Sequence, residues 1–169
     1  MTKSDKILNI GCGNSKLSED LSEEGYEDIT NIDFSTKVIT IMEQTYKEKF
    51  PKMQFKVADV LDMKDFQSGT FNTILDKGTL DCILCGDNSV PNAAKMMAEM
   101  YRLLAPGGHY MVITYGDPDV RKKYLETQQW ASLSVDKLAK PSAAVSSTIN
   151  ADENDVKNFH YIYTMAKPK

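Results

Sequence analysis

Along most of the chain, short apolar runs bounded by turn residues alternate with longer stretches in which apolar side chains recur every three or four positions. The first arrangement predicts strands and the second predicts helices. Ile7 to Ile10 reads as a strand, closed by the glycine turn Gly11-Cys12-Gly13-Asn14. A helix from Lys16 to Glu24 follows, carrying Leu17 and Leu21 and stopped by Gly25. Ile29 to Ile32 is the second strand, and Thr36 to Lys49 the second helix, with Val38, Ile41, Met42 and Tyr46 on its buried stripe and Phe50-Pro51 at its end. Phe55 to Ala58 and Phe71 to Leu75 are the third and fourth strands. Ser89-Pro91 opens a helix that reaches Leu104, with proline at its first position and Met96, Met97, Met100, Tyr101 and Leu104 facing the core. Ala105-Pro106-Gly107-Gly108 turns the chain into a fifth strand, His109 to Thr114, and Asp117-Pro118 caps a helix running to Gln128.

The end of the chain departs from this rhythm. Leu133 to Leu138 and Phe159 to Ala166 read as strands separated by the polar stretch from Lys140 to Val156, with no helix between them. Successive strands of this kind predict an antiparallel hairpin at a sheet edge, and Ser142 to Asn154 reads as a mobile loop. Strands alternating with helices require right-handed crossovers and a parallel sheet. The expected class is α/β: a doubly wound, mostly parallel seven-stranded sheet with an antiparallel edge hairpin. The 169 residues suit a single domain, and 41% hydrophobic with 26% charged residues is an ordinary globular composition. No apolar run approaches the ~18 residues that cross a bilayer, and the start Met-Thr-Lys-Ser-Asp-Lys lacks the apolar core of a signal peptide. With three cysteines, an odd number, these features predict a cytoplasmic protein. A net charge of −4 argues against broad binding to nucleic acid, which needs surplus Lys and Arg to displace phosphate counterions.

In an open α/β sheet, ligands sit beyond the carboxyl ends of the strands. The glycines of Gly11-Cys12-Gly13-Asn14-Ser15 let the backbone approach a ligand closely. Asp33 follows the second strand, 20 residues beyond Gly13, where an acid accepts hydrogen bonds from a ribose diol. Asp59 stands at the end of the third strand and Asp76 at the end of the fourth, so three carboxylates share one sheet edge. A dinucleotide fingerprint fails because Lys16 occupies the third glycine position, and no phosphate-binding P-loop occurs.

Leu8-Asn9-Ile10-Gly11-Cys12-Gly13-Asn14-Ser15, Asn31-Ile32-Asp33-Phe34-Ser35, Val57-Ala58-Asp59-Val60 and Leu103-Leu104-Ala105-Pro106-Gly107-Gly108 together resemble the seven-strand (class I) S-adenosylmethionine-dependent methyltransferases, with their Rossmann-like fold. Gly13-Asn14-Ser15 with Leu17-Ser18, and Asp76-Lys77-Gly78-Thr79-Leu80-Asp81, are similar to the group containing methyltransferase-like protein 13 and the lysine methyltransferases of translation elongation factor 1-alpha. The resemblance implies S-adenosyl-L-methionine as cofactor. Its methionine part would lie on Gly11, Cys12, Gly13, Asn14 and Ser15, its ribose on Asp33 with Phe34, and its adenine at Asp59 and Val60, while Asp76 would lie near the sulfonium and the substrate. It also implies a protein substrate, such as a translation factor, methylated on a lysine. Three departures stand out: Asn9 takes a position that is often acidic, the domain is expected to lack the N-terminal lid segment that usually precedes the first strand, and the stretch from Lys140 to Val156 resembles no segment of the family.

Methyl transfer from a sulfonium is an in-line displacement whose main requirement is collinear placement in a site that excludes water. A lysine amine must lose its proton before it attacks, since the ammonium has no lone pair. Asp76 is expected to orient that amine, and Tyr115, just after the fifth strand, to supply an aromatic wall, with packing at the rim as the alternative for Tyr115. Lys77 is expected to be a structural ion-pair partner. Cys82 and Cys85, with Cys12, raise a metalloid-methylating alternative, but two thiols at this spacing do not complete a metal site and are expected to pack as small apolar groups. A small-molecule methyltransferase and a non-catalytic partner of an active subunit are the other readings that remain open.

Overall fold

The computed structural model describes residues 1–140 and 159–169, so the loop expected at Ser142 to Asn154 lies outside the described residues. The elements are β1 (Ile7–Ile10), α1 (Leu17–Glu23), β2 (Ile29–Asp33), α2 (Thr36–Tyr46), β3 (Gln54–Val57), β4 (Phe71–Lys77), α3 (Thr79–Cys85), α4 (Ser89–Leu103), β5 (Leu104–Thr114), α5 (Pro118–Leu125), β6 (Ser132–Ala139) and β7 (Phe159–Ala166). They form one seven-stranded sheet in the order β3-β2-β1-β4-β5-β7-β6. β1 to β5 pair in parallel, whereas β7 runs antiparallel between β5 and β6. The class expected from the apolar pattern is the one observed.

Both faces of the sheet are covered, because the central strands are apolar on both sides. Leu8, Ile10, Ile32 and Ile74 join Met96, Met97 and Met100 of α4 in one core, and Ile7, Ile29 and Leu75 join Met42 and Tyr46 of α2 in another. Burying each such side chain contributes about 1.5–3 kcal/mol. Asn9, buried in β1, is satisfied without charge: its Nδ2 donates to Ser18 Oγ and to Asn31 Oδ1, both at 3.0 Å. A neutral amide therefore ties β1, β2 and α1 together at this position.

Several boundaries and faces differ from expectation. On α2 the buried residues are Ile39, Met42 and Tyr46, while Ile41 is half exposed, because a 3.6-residue period carries position 41 off the face shared by 39, 42 and 46. α2 ends at Tyr46 and α5 at Leu125, both short of the expected ends. α4 starts at Ser89, after Asn88 in a left-handed conformation, so Pro91 is its third residue. The third helical N–H has no partner in the helix, so proline is tolerated there too. Tyr101 is only partly buried and donates to the Gln129 carbonyl at 3.2 Å, while Leu104 belongs to β5. The expected turn at residues 105–108 is the irregular start of β5, where Gly107 has φ +74° and the register with β4 shifts between Phe71 and Thr73. α3 was not expected at all. No helix among the described residues is long and apolar enough to cross a membrane.

Candidate functional site

Strand order reverses between β1 and β4, since the chain winds outward through β2 and β3 before returning to β4. Such a switch point opens a crevice at the carboxyl ends of the strands. Gly11, at the end of β1, and Gly13, two residues further on, have φ values of +55° and +52°. Asp33, the last residue of β2, turns back on that loop: Oδ2 accepts the Gly13 N–H at 2.9 Å and Oδ1 accepts the Ser35 N–H at 2.9 Å. Each carboxylate oxygen keeps a further lone-pair direction, and Asp33 lines a hollow of about 390 Å³ together with Gly11, Phe34, Ala58, Asp59, Val60 and Thr79.

The residues expected to hold a nucleoside-bearing cofactor thus largely converge. Phe34 is 82% exposed at the rim, an apolar plate with no core to enter. Asp59 lies just beyond β3, in an isolated bridge with Asp62, and its Oδ1 accepts the Leu61 N–H at 2.9 Å. Val60 is buried beside it. Three residues of the glycine turn behave differently. Cys12 is buried and its thiol is pushed up to about 12 by burial and by the nearby Asp33 charge, so it is inert. Asn14 is exposed away from the hollow, and Ser15 Oγ accepts the Leu17 N–H at 3.3 Å, at the start of α1.

Asp76 does not face the hollow. It is sealed within the fold, where its Oδ1 accepts the Thr79 N–H at 2.7 Å, Oδ2 accepts the Leu80 N–H at 3.1 Å, and Tyr110 donates to Oδ2 at 3.0 Å. The carboxylate thereby caps α3, whose preceding residue, Gly78, has no side chain to do so. The geometry therefore corrects the expectation that Asp76 meets the substrate amine. Burial lifts its carboxyl from 3.8 to about 7 against the opposing pull of these bonds. Between these values the folded chain holds a proton that the unfolded chain releases, so this group makes stability fall as pH rises from about 4 to about 7. Asp76→Asn is expected to remove that slope. In melting curves from pH 4.5 to 8, the gap between variant and parent should move in favour of Asn by up to about 3 kcal/mol. A gap that does not change with pH would contradict this.

A second hollow, of about 500 Å³, adjoins the first and shares Lys77, Gly78 and Cys82 with it. Asp81, Cys85, Ile113, Thr114, Tyr115, Leu138 and His160 complete its lining. Tyr115 is 53% exposed at this rim, with its hydroxyl 3.8 Å from Cys85 Sγ, so it is available as a wall and is not part of the core. Cys82 and Cys85 are exposed on α3, contrary to the expected packing role, because a seven-residue helix laid across the strand ends turns one side to the hollows. Lys77 forms no ion pair among the described residues and stands on the wall between the hollows, so the expected structural pairing is not found. Sequence reasoning missed Asp81, which is buried and ion-paired with Arg121. The spacing of Leu80, Ile83 and Leu84, at i, i+3 and i+4, was the signal for the helix that carries it.

A family model described as a methyltransferase domain matches residues 1–167. The "eEF1A lysine and N-terminal methyltransferase" of Danio rerio is 42% identical over 129 residues, which are 75% of this chain and 18% of that protein. "EEF1A lysine methyltransferase 4" of Mus musculus is 35% identical over 128 residues, 71% of this chain and 49% of that protein. The chain thus spans less than a fifth of one relative and about half of the other. A SAM-dependent methyltransferase from Methanosarcina mazei superposes with a TM-score of 0.71 at 19% identity, covering 99% of this chain and 94% of that one. A Haemonchus contortus phosphoethanolamine N-methyltransferase, solved with S-adenosylhomocysteine, gives 0.72 at 14% identity, covering 100% of this chain and 50% of its own. These two likenesses carry the fold. With the family model spanning almost every residue of a seven-stranded sheet whose switch point holds the hollow just described, the chain belongs to the methyltransferase domain family.

Proposed function

We propose that this chain transfers a methyl group from S-adenosyl-L-methionine to a lysine amine of a protein, with elongation factor 1-alpha as the substrate. The observation that carries the reading is the shared wall: two hollows meet at Lys77, Gly78 and Cys82, so a ligand filling the first presents one end to the second. Gly11, Gly13 and Asp33 would hold the cofactor's amino-acid and ribose parts, and Phe34, Asp59 and Val60 its base. Bound there, the cofactor supplies an electrophilic methyl on a sulfonium. The protein's own work is placement, desolvation and water exclusion, which bring the amine into line and favour its neutral form. Tyr115 offers the aromatic face along which a cationic side chain slides before it loses its proton. The names of the relatives support lysine and elongation factor 1-alpha as the target.

The test is calorimetric titration with S-adenosylhomocysteine, then incubation of the chain with methyl-labelled cofactor and purified elongation factor 1-alpha. Label in a lysine of that protein is the expected result. Binding of the homocysteine product without label in protein, or label only in small molecules of a cell extract, would overturn the assignment.

A further inference from the structure

Asp81 is only 5% exposed, yet it lines the outer hollow. Its two carboxylate oxygens have different surroundings. Oδ1 accepts from Thr114 Oγ1 at 2.5 Å and from an Arg121 guanidinium N–H. Arg121 Nε also donates to Thr114 Oγ1 at 3.1 Å, and the Gly116 N–H reaches the same hydroxyl at 3.0 Å. These bonds tie α3, the end of β5 and α5 into one rigid unit. No hydrogen bond reaches Oδ2 among the described residues, and no side-chain nitrogen or oxygen sealed from solvent lacks a partner among them. Oδ2 therefore keeps access to solvent, and Asp81 shares the lining of the hollow with Ile113, Leu138 and Tyr115.

We propose that Asp81 Oδ2, held in place by Arg121, is the group that receives and orients the substrate's primary alkylammonium. This rests on the methyl-transfer reading above. The pocket would take one cation with an aliphatic stem, because Ile113, Leu138 and the Tyr115 ring offer apolar wall and Asp81 is the one carboxylate among its described lining residues. Lys77 on the shared wall repels a second positive charge. The ion pair with Arg121 also matters chemically. An isolated buried carboxylate would hold the ammonium form, which has no lone pair, whereas a carboxylate already neutralised by a guanidinium still directs one N–H without a full counter-charge. The amine releases one proton to water; its lone pair then forms the N–C bond while the C–S bond breaks and its electron pair stays on sulfur. One remaining N–H stays directed at Oδ2 throughout.

The probes are N-acetyl-lysine N-methylamide and its norleucine counterpart, titrated at pH 7 into protein carrying 13C-labelled aspartate carboxyls. In the unaltered protein the Asp81 carboxyl signal should shift with the lysine probe and not with norleucine, and lysine should bind about tenfold better or more. Asp81→Asn keeps an acceptor for Arg121 and Thr114 but turns the outward oxygen into a donor, and should abolish the preference. With elongation factor 1-alpha as substrate, its kcat/KM should fall about hundredfold while affinity for S-adenosylhomocysteine stays within about twofold. No lysine preference in the unaltered protein, or an equal preference in Asp81→Asn, overturns the proposal. A lysine preference that depends on Asp81, without methyl transfer to protein, upholds it and overturns the proposed function instead. If Asp81→Asn does not fold, the carboxyl shift in the unaltered protein decides alone.

Discussion

Gly11→Val should abolish cofactor binding and destabilise the fold, the largest effect expected of any single substitution at the site. A Cβ at this position would overlap Thr79 Oγ1, and that hydroxyl is committed to the Ile10 carbonyl at 2.9 Å. Valine must also adopt a φ of +55°, which β-branched residues resist. Strain and the displaced hydrogen bond together are expected to cost about 2–4 kcal/mol. Thr79 begins α3, so the displacement moves the wall of both hollows. Gly13→Ala is the control for fold stability: its φ is +52° but an added Cβ meets no protein atom within 4 Å, so without cofactor only backbone strain of about 1–2 kcal/mol applies. The check is thermal melting with titration of S-adenosylhomocysteine. Equal melting of the two variants without ligand would mean that the contact with Thr79 is unimportant.

Asp33→Ala comes next. It removes the acceptor from the Gly13 and Ser35 N–H groups and, on the proposed reading, from the ribose hydroxyls. Hydrogen bonds to a charged partner are worth about 1.5–3 kcal/mol, so affinity should drop about ten- to a hundredfold. Asp33→Asn retains one acceptor oxygen and should lie between the parent and Ala. An unchanged dissociation constant in Asp33→Ala would remove the ribose assignment.

What was legible before the structure follows from how each signal arises. Strand positions could be read because central parallel strands are buried on both faces and stand out as short runs opened and closed by apolar residues and bounded by turn residues, such as Ile7 to Ile10 and Ile29 to Ile32. Gly11, Gly13 and Asp33 were readable because turn geometry and strand ends dictate them locally. Asp76 was misread for a related reason. Position at a strand end implies exposure to the crevice, but the strand runs on to Lys77 and the carboxylate is recruited to cap a helix. Asp81 stands in a phrase the sequence singles out, but its role is not legible there because it depends on Arg121 and Thr114, which are 40 and 33 positions away in sequence. No local pattern encodes such a meeting.

Insertion of β7 between β5 and β6 has a consequence for how the protein is made. Every described residue lining the first hollow lies from Gly11 to Ile83, so all of them have been synthesised before the second half of the chain exists. The second hollow needs Leu138 and His160, and β6 has no neighbour in the sheet until β7 is synthesised and slides in beside β5. Chains emerge at about 5–20 residues per second, so the unfinished sheet edge at β5 waits several seconds for its partner. During that interval the half-made protein presents an unpaired strand, the part of its life in which aggregation and chaperone capture compete with folding.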